Sequence, residues 1–384
     1  MSGGLRFCHT ADLHLDVSVS VPKWRVLEQK ACLDNLREYV AKKKISDIMI
    51  AGDIFDRHNP EDETVIFFLS WVNDCVTEGV RIWAIPGNHD AKDHVNQYHS
   101  MTPMVKTMEI VDADATKGFN IIDYPRVLTH GPFAGYNVCF LPWMREKEYI
   151  DVLKALSRKP TTGINILVTH AYVRGSVIGD GGVKLTTGIP LKFFKPFTYV
   201  ALGDVHLRQD FRYKNMSAHY PGSFFCVNWA ERKEFKGFLD VHISTGGEVT
   251  VDHIRSPHII WTQRRVKLSI LQKLVVSKTL FARKFLAKKF ENKKFKIVID
   301  CEGGQASQVP IDELQERAKE LPIIEFNYEL KNTGYTRLKR FKSRKTGEMM
   351  DEMVDGDDSV KGKKRKLKAK KVGRQLLGKG SENA

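Results

Sequence analysis

The sequence predicts an α/β protein whose body is a parallel sheet with helices packed on it. Three observations carry that prediction. Apolar runs of strand length alternate with segments of helical period through the first 85 residues, as β-α-β-α-β. Five apolar runs end abruptly in polar loops rich in Gly, Asp, Asn and His, the edge at which α/β sheets bind ligands. The longest apolar runs are broken within about ten residues, too short to span a bilayer.

The elements follow in order. Leu5 to Cys8 is a short strand that runs into His9-Thr10-Ala11-Asp12-Leu13-His14. Residues 24–43 read as a helix, with Trp24, Leu27, Ala31, Leu33, Leu36, Tyr39 and Val40 near a 3.6-residue period. Asp47 to Ala51 is a second strand, ending in Gly52-Asp53-Ile54-Phe55-Asp56. Glu63 to Val76 is an amphipathic helix with Val65, Phe68, Leu69, Val72 and Val76 inward. Val80 to Ile85 is the third strand, and Pro86-Gly87 turn it into Asn88-His89-Asp90. Val105 to Ile110 closes a helix and Tyr136 to Leu141 is a strand. Ile164 to Val168 ends at Thr169-His170, and Ala171 to Leu191 reads as a long loop. Phe197 to Leu202 ends at Gly203-Asp204-Val205-His206, and Gly237 to Ile243 pairs with Glu248 to Ile254 as a hairpin.

Beyond residue 260 the composition changes. Ala282, Leu286 and Phe290 mark a helix with lysines opposite, among them Lys284, Lys288 and Lys289. Phe295, Ile297, Ile299 and Cys301 alternate as in a half-buried strand, Ile311, Leu314, Ala318 and Leu321 form a second helical stripe, and Ile323 to Leu330 is a second strand. The expected organisation is a main domain over 1–260, a small α+β unit over 261–342, and a charged, disordered tail over 343–384. The basic face of the small unit reads equally as a solvated helix surface or as one that meets nucleic acid.

Net charge is +15, much of it in the C-terminal third, which points to an anionic partner. No lipidation motif or basic amphipathic anchor supports a membrane surface. No secretory signal pattern opens the chain, so a cytoplasmic or nucleoid-associated protein is expected. The six cysteines are scattered without a Cys-x-x-Cys pair, and are read as reduced, mostly buried small hydrophobes.

The strand-end groups make one set: Asp12, His14, Asp53, Asn88, His170, Asp204 and His206, with His89 beside them. Imidazole, carboxylate and amide donors suit borderline divalent ions such as manganese, iron or zinc. Seven ligands for two ions require one to be shared, and Asp53 is the natural bridge. Two ions about 3.5–4 Å apart clamp the attacking and leaving oxygens of a phosphate ester and lower the pKa of a water between them. His89 is expected to donate a proton to the leaving oxygen or to stabilise transition-state charge, and Asp90 to orient the neighbouring loop. His9, His58, His94 and His99 are read as ordinary hydrogen-bonded or solvated histidines.

Asp-x-His, Gly-Asp-x-x-Asp, Gly-Asn-His-Asp, Thr-His and Gly-x-x-His, in this order, resemble the signature of calcineurin-like metallophosphoesterases. More narrowly, His9 to Leu15, Ala51 to Asp56, Ile85 to Asp90, Tyr199 to Gly203 and Tyr220 to Ser223 resemble the SbcD-type DNA repair nucleases, over residues 5–255. Phage recombination nucleases of this family are similar in length. The resemblance implies a sandwich of two mixed sheets flanked by helices, with a small α+β capping domain. It implies that Asp12, His14, Asp53 and His206 hold one ion, that Asp53, Asn88, His170 and Asp204 hold the other, and that His89 is the catalytic histidine. It further implies manganese-dependent cleavage of DNA phosphodiesters, by exonuclease action on duplex ends and endonuclease action on single strands or hairpins. A homodimer and an SbcC-like ATPase with a long coiled coil are the implied partners. One departure stands out: Asp204 takes the place of the first histidine in the family's usual Gly-His-x-His. A carboxylate is a harder ligand than imidazole and favours manganese or magnesium over softer ions. Two other readings are open: a phosphoesterase of the same fold acting on nucleotides or phosphoproteins, and a non-catalytic DNA-end scaffold.

Overall fold

The computed structural model describes residues 3–92, 98–110, 118–158, 163–179, 182–277, 281, 284, 293–301, 305–319, 321 and 323–332. It divides into two units.

The larger unit comprises 1–263, 285–296 and 321–326, and is built on two six-stranded sheets. The first has the order Val249–Arg255, Gly237–Ser244, Gly4–Thr10, Asp47–Ala51, Arg81–Ile85, Phe119–Ile121. Its strands from Gly4–Thr10 to Phe119–Ile121 are parallel, and the Gly237–Ser244 hairpin adds antiparallel pairs at one edge. The second has the order Gln209–Tyr213, Met216–Tyr220, Tyr199–Gly203, Ile164–His170, Tyr136–Leu141, Arg126–Leu128. Its four central strands are parallel.

The sheets face each other across a shared core. Phe7, Met49, Trp83 and Val241 from the first pack with Phe140, Ile166, Val168 and Tyr199 from the second. Strands buried on both faces read as continuous apolar runs, which is why the central strands are legible in the sequence. Helices Lys23–Lys43 and Asp62–Thr77 cover the outer face of the first sheet through Leu33, Leu36, Phe68 and Val72. The outer face of the second is covered by Glu146–Arg158, through Tyr149 and Leu153.

Several expectations need correction. Leu27, placed by periodicity on the inner stripe of the first helix, is exposed; the buried stripe runs through Cys32, Leu33, Leu36 and Val40. The stretch Ala171–Leu191 is not simply a loop, because Val177–Ile178 pairs with Val183–Lys184. The helix Glu146–Arg158 and the strands Arg126–Leu128, Gln209–Tyr213 and Met216–Tyr220 go beyond the elements that the sequence pattern marks. Three of these four are edge or amphipathic elements with mixed polarity, so no apolar run signals them. All six cysteines are buried free thiols.

The smaller unit comprises 264–284, 297–320 and 327–384. Its residues 264–267, 297–301 and 327–332 belong to a three-stranded sheet in the order Trp261–Lys267, Lys294–Cys301, Glu325–Asn332. Helix Leu268–Val276 buries Leu271 and Leu274, and helix Ile311–Lys319 buries Leu314 and Ala318. Phe295, Ile297, Ile299 and Cys301 are all buried, on the alternation the sequence displays. The expected Ala282–Phe290 stripe and the tail fall outside the described residues.

Candidate metal centre

Parallel strands bring their C-terminal ends to one edge, and the loops there are tied together by their backbones. The amide of Asp12 donates to Gly52 O at 3.0 Å and that of His14 to Asp53 O at 3.1 Å. Asp90, fully buried, joins the next loop: its carboxylate accepts from the amides of Ile54 (3.2 Å), Phe55 (3.1 Å) and Gly87 (3.0 Å), and from Ser100 Oγ (3.1 Å). The loops are held in costly conformations. Asp12, His14, Asp53 and Asp204 have φ of 53°, 42°, 54° and 99°, in the left-handed region that L-residues avoid. Such strain persists only where surrounding structure imposes it, and it clusters at functional sites. Two glycines permit close approach: a Cβ on Gly87 would lie 2.1 Å from Asp53 Oδ1, and one on Gly203 would lie 1.9 Å from Ala51 O.

The candidate residues converge. At one end, His14 Nε2 and His206 Nε2 are 2.9 Å apart, and Asp12 offers a carboxylate oxygen to the same point. At the other end, His170 Nε2 faces Asn88 Oδ1 at 2.8 Å, Asp53 Oδ2 at 3.4 Å and Asp204 Oδ1 at 3.7 Å. Asp53 Oδ2 stands between the two ends, 3.7 Å from His14 Nε2 and 3.4 Å from His170 Nε2. Its Oδ1 accepts from the His89 amide at 2.8 Å, so the carboxylate is fixed in orientation. The amide of Asp204 donates to Asp12 Oδ1 at 2.9 Å, while the buried Asp12 Oδ2 and His14 Nδ1 have no hydrogen-bond partner.

This donor set fits a pair of cations. The Nδ1 of His170 is committed to the Ala51 carbonyl at 2.7 Å, so its Nε2 turns toward three oxygen acceptors. Three acceptors around one ring nitrogen need a positive centre between them. An orphaned, buried carboxylate oxygen at the other end makes the same demand.

Protons feel the same field. Burial by itself would lower the pKa of His170, but the charges of Asp53 and Asp204 override it and drive it well above the usual imidazole value. Burial opposes ionisation of Asp53, yet His170, His14 and His89 hold it well below the usual carboxylate range. Asp204 goes the other way: burial, reinforced by the charges of Asp53 and Asp12 against the pull of His170, pushes it up to about 7.

His89 lies at the rim of this cluster, where it makes a third candidate metal group with His14 and Asp56. Its ring is exposed and lies edge-on to His14, with centroids 4.6 Å apart. Nδ1 lies 2.8 Å from the Asp56 carbonyl. A carbonyl only accepts, so Nδ1 carries the hydrogen and Nε2 is free to meet a substrate. Asp56, which the sequence marks only as part of a motif, brings its carboxylate 3.6 Å from His14 Nδ1.

Two cavities open at the two ends of the cluster. One of about 200 Å³ is lined by His170 and Asp204 together with Trp143, Tyr149 and Tyr172. The other, of about 390 Å³ and formed wholly within the larger unit, is lined by His14 and Asp56 together with Trp24, Arg25, Trp261 and Lys294.

Residues 5–208 match the calcineurin-like phosphoesterase family, a span that holds every candidate ligand. The chain belongs to the calcineurin-like phosphoesterases. Members of this family use two divalent ions, in keeping with the clusters Asp12/His14/His206 and Asp12/Asp53/His170. Relatives include the SbcD component of the SbcCD nuclease from Staphylococcus epidermidis, 24% identical over 261 residues, covering 62% of this chain and 66% of that protein. The DNA double-strand break repair protein Mre11 of Methanopyrus kandleri is 22% identical over 263 residues, covering 65% of this chain and 56% of that protein. The chain thus matches less than two thirds of the length of either. Among the described residues no helix is long and apolar enough to cross a membrane.

Sequence reasoning misses Glu231 and Lys236, which stand directly behind His206. His206 Nδ1 lies 2.9 Å from Glu231 Oε1, and Lys236 Nζ lies 2.8 Å from Glu231 Oε2. Neither follows an apolar run, so the signal that exposes the strand-end residues does not reach them.

Proposed function

We propose that this phosphoesterase is a two-metal deoxyribonuclease, cutting DNA phosphodiesters as an exonuclease on duplex ends and as an endonuclease on single strands or hairpins. The observation that carries the reading is the pair of cavities. A phosphodiester has an arm on each side of its phosphorus, whereas a monoester has one, and here space opens at both ends of the cluster. The tryptophans along the larger cavity suit a nucleotide base, which stacks on aromatic rings, while Arg25 and Lys294 beside them are paired with Glu28 and Glu325. The +15 charge favours a polyanion, and the two relatives are named as a nuclease and a DNA repair protein.

In this reading Asp12, His14, Asp53 and His206 hold one ion and Asp53, Asn88, His170 and Asp204 the other. The hard carboxylate of Asp204 favours manganese, with magnesium the next choice. The ions supply Lewis-acid charge to the attacking and leaving oxygens. The chain supplies the rest. Asp90 and the strained loops hold the ligands before substrate arrives, and that preorganisation lowers the barrier. His89, with Nδ1–H anchored on the Asp56 carbonyl, turns Nε2 to the leaving oxygen; in the imidazolium form Nε2 carries the proton that passes to that oxygen, which leaves the neutral Nδ1–H ring behind. A homodimer and an SbcC-like coiled-coil ATPase are proposed partners on the family resemblance, and the basic C-terminal segments are proposed as further DNA contacts.

The test is incubation with linear plasmid, a hairpin oligonucleotide and p-nitrophenyl phosphate, each with manganese. Cleavage of DNA that His89→Asn abolishes, with DNA binding kept, supports the reading. Turnover of the small ester with both DNAs intact refutes it in favour of a nucleotide or phosphoprotein phosphatase.

A further inference from the structure

The three candidate histidine ligands are not held alike. His170 leans on a backbone carbonyl, and the buried His14 Nδ1 has the Asp56 carboxylate 3.6 Å away, beyond hydrogen-bond reach. Among these three, His206 is the one whose second ring nitrogen meets a carboxylate at hydrogen-bond distance, Glu231 at 2.9 Å. That carboxylate is saturated with donors. Oε1 also accepts from Asn228 Nδ2 at 2.5 Å, and Oε2 from the Val227 amide at 3.0 Å and Lys236 Nζ at 2.8 Å. Lys236 is fully buried, an expensive place for an ammonium. Its Nζ reaches Ser223 Oγ at 2.7 Å, Glu234 Oε2 at 2.8 Å and the backbone carbonyl of His206 at 3.1 Å.

We infer that Glu231 and Lys236 are positioning residues for the ion held by Asp12, His14 and His206. The inference rests on the proposed role of His206 as a ligand. The geometry grips residue 206 twice. Glu231 takes the Nδ1 hydrogen, which leaves the lone pair on Nε2 and points it at His14 and Asp12. Lys236 holds the main chain of the same residue and the carboxylate that holds its ring. A staple meant only for stability gains nothing from burying a lysine and a glutamate, since apolar residues of equal volume do as well or better. A carboxylate behind a ligating imidazole fixes its tautomer and raises its basicity, and losing one commonly weakens metal binding about 10–100-fold. His206 follows the strained Asp204 on an irregular loop, so its ring has no strand to orient it.

The test uses the full chain stripped with chelator and titrated with manganese by calorimetry, alongside nitrogen NMR of the histidine rings before metal is added. Glu231→Gln keeps the shape and is expected to weaken one of two manganese sites about 10–100-fold while leaving the other unchanged. His206→Ala should lose that same site. In metal-free wild type, His206 should show a single Nδ1–H tautomer, and Glu231→Ala should mix the two. Arg81→Met, which breaks the remote Arg81–Asp47 pair, serves as a control that lowers Tm without touching manganese affinity. If the Glu231 variants keep both affinities and the tautomer while His206→Ala loses a site, the inference is overturned and the proposed function stands. If His206→Ala also keeps both sites, the ligand assignment falls and takes the inference with it.

Discussion

Replacing Asp204 by Asn separates the two things this carboxylate does. In chelated protein it is a burden: burial and the charges of Asp53 and Asp12 raise it from 3.8 to about 7. A group whose folded pKa lies above its unfolded value contributes stability at low pH that is lost as pH rises through the folded value. Chelated wild type should therefore lose about 3 kcal/mol between pH 5 and pH 8 through Asp204 alone, at about 1.4 kcal/mol per pH unit up to about 7. His170 acts with the same sign, because its folded pKa also lies above the ordinary imidazole value. Asn cannot ionise, and its removal of a charge also relaxes His170, so the variant should show a clearly shallower decline. With manganese the order reverses. An ion at one hundred times its dissociation constant stabilises wild type by about 2.7 kcal/mol, and the neutral amide should forfeit most of that. Urea unfolding at pH 5, 6, 7 and 8, with chelator and with manganese, measures both effects. Equal pH slopes for the two proteins, or equal stabilisation by manganese, would refute the placement of Asp204 in the cluster.

Three other outcomes are expected. Asp90→Ala strands three buried backbone N–H groups at about 1–3 kcal/mol each, so Tm should fall sharply, and any folded fraction should bind manganese weakly; a loss under about 1 kcal/mol would show that the loops stand without it. Trp24→Ala should raise the KM for oligonucleotide about tenfold or more, in line with about 1–3 kcal/mol per stacked base, and leave p-nitrophenyl phosphate unaffected; an equal effect on both substrates would remove the larger cavity from the nucleotide path. Phe140→Ala, in the core between the sheets, should cost about 3–5 kcal/mol by denaturant unfolding with manganese stoichiometry unchanged, and a loss of bound ions in the folded variant would contradict the rigid-sheet picture.

The legible parts of this protein share one property. Asp47–Ala51, Arg81–Ile85, Ile164–His170 and Tyr199–Gly203 are parallel strands buried on both faces, so each carries an apolar stretch that stops near where the loop begins. That stop is what draws attention to Asp53, Asn88, His170 and Asp204. Gln209–Tyr213 has only intermediate and exposed residues, and Glu146–Arg158 carries its polar face in full, so neither leaves the same mark. Glu231 and Lys236 are invisible for a related reason. They lie in a short polar segment, and their importance comes from what stands opposite them in space.

The sequence by itself determined which donors exist and that each sits where an apolar run ends, because burial and side-chain chemistry are written residue by residue. Only the tertiary structure decided that Asp12 and His206, far apart in the chain, aim at one point. It also decided that four of the candidate ligands sit in left-handed backbone and that a buried lysine and glutamate stand behind one imidazole. Orientation and convergence depend on how two sheets face each other, a relation between distant segments that no local pattern encodes.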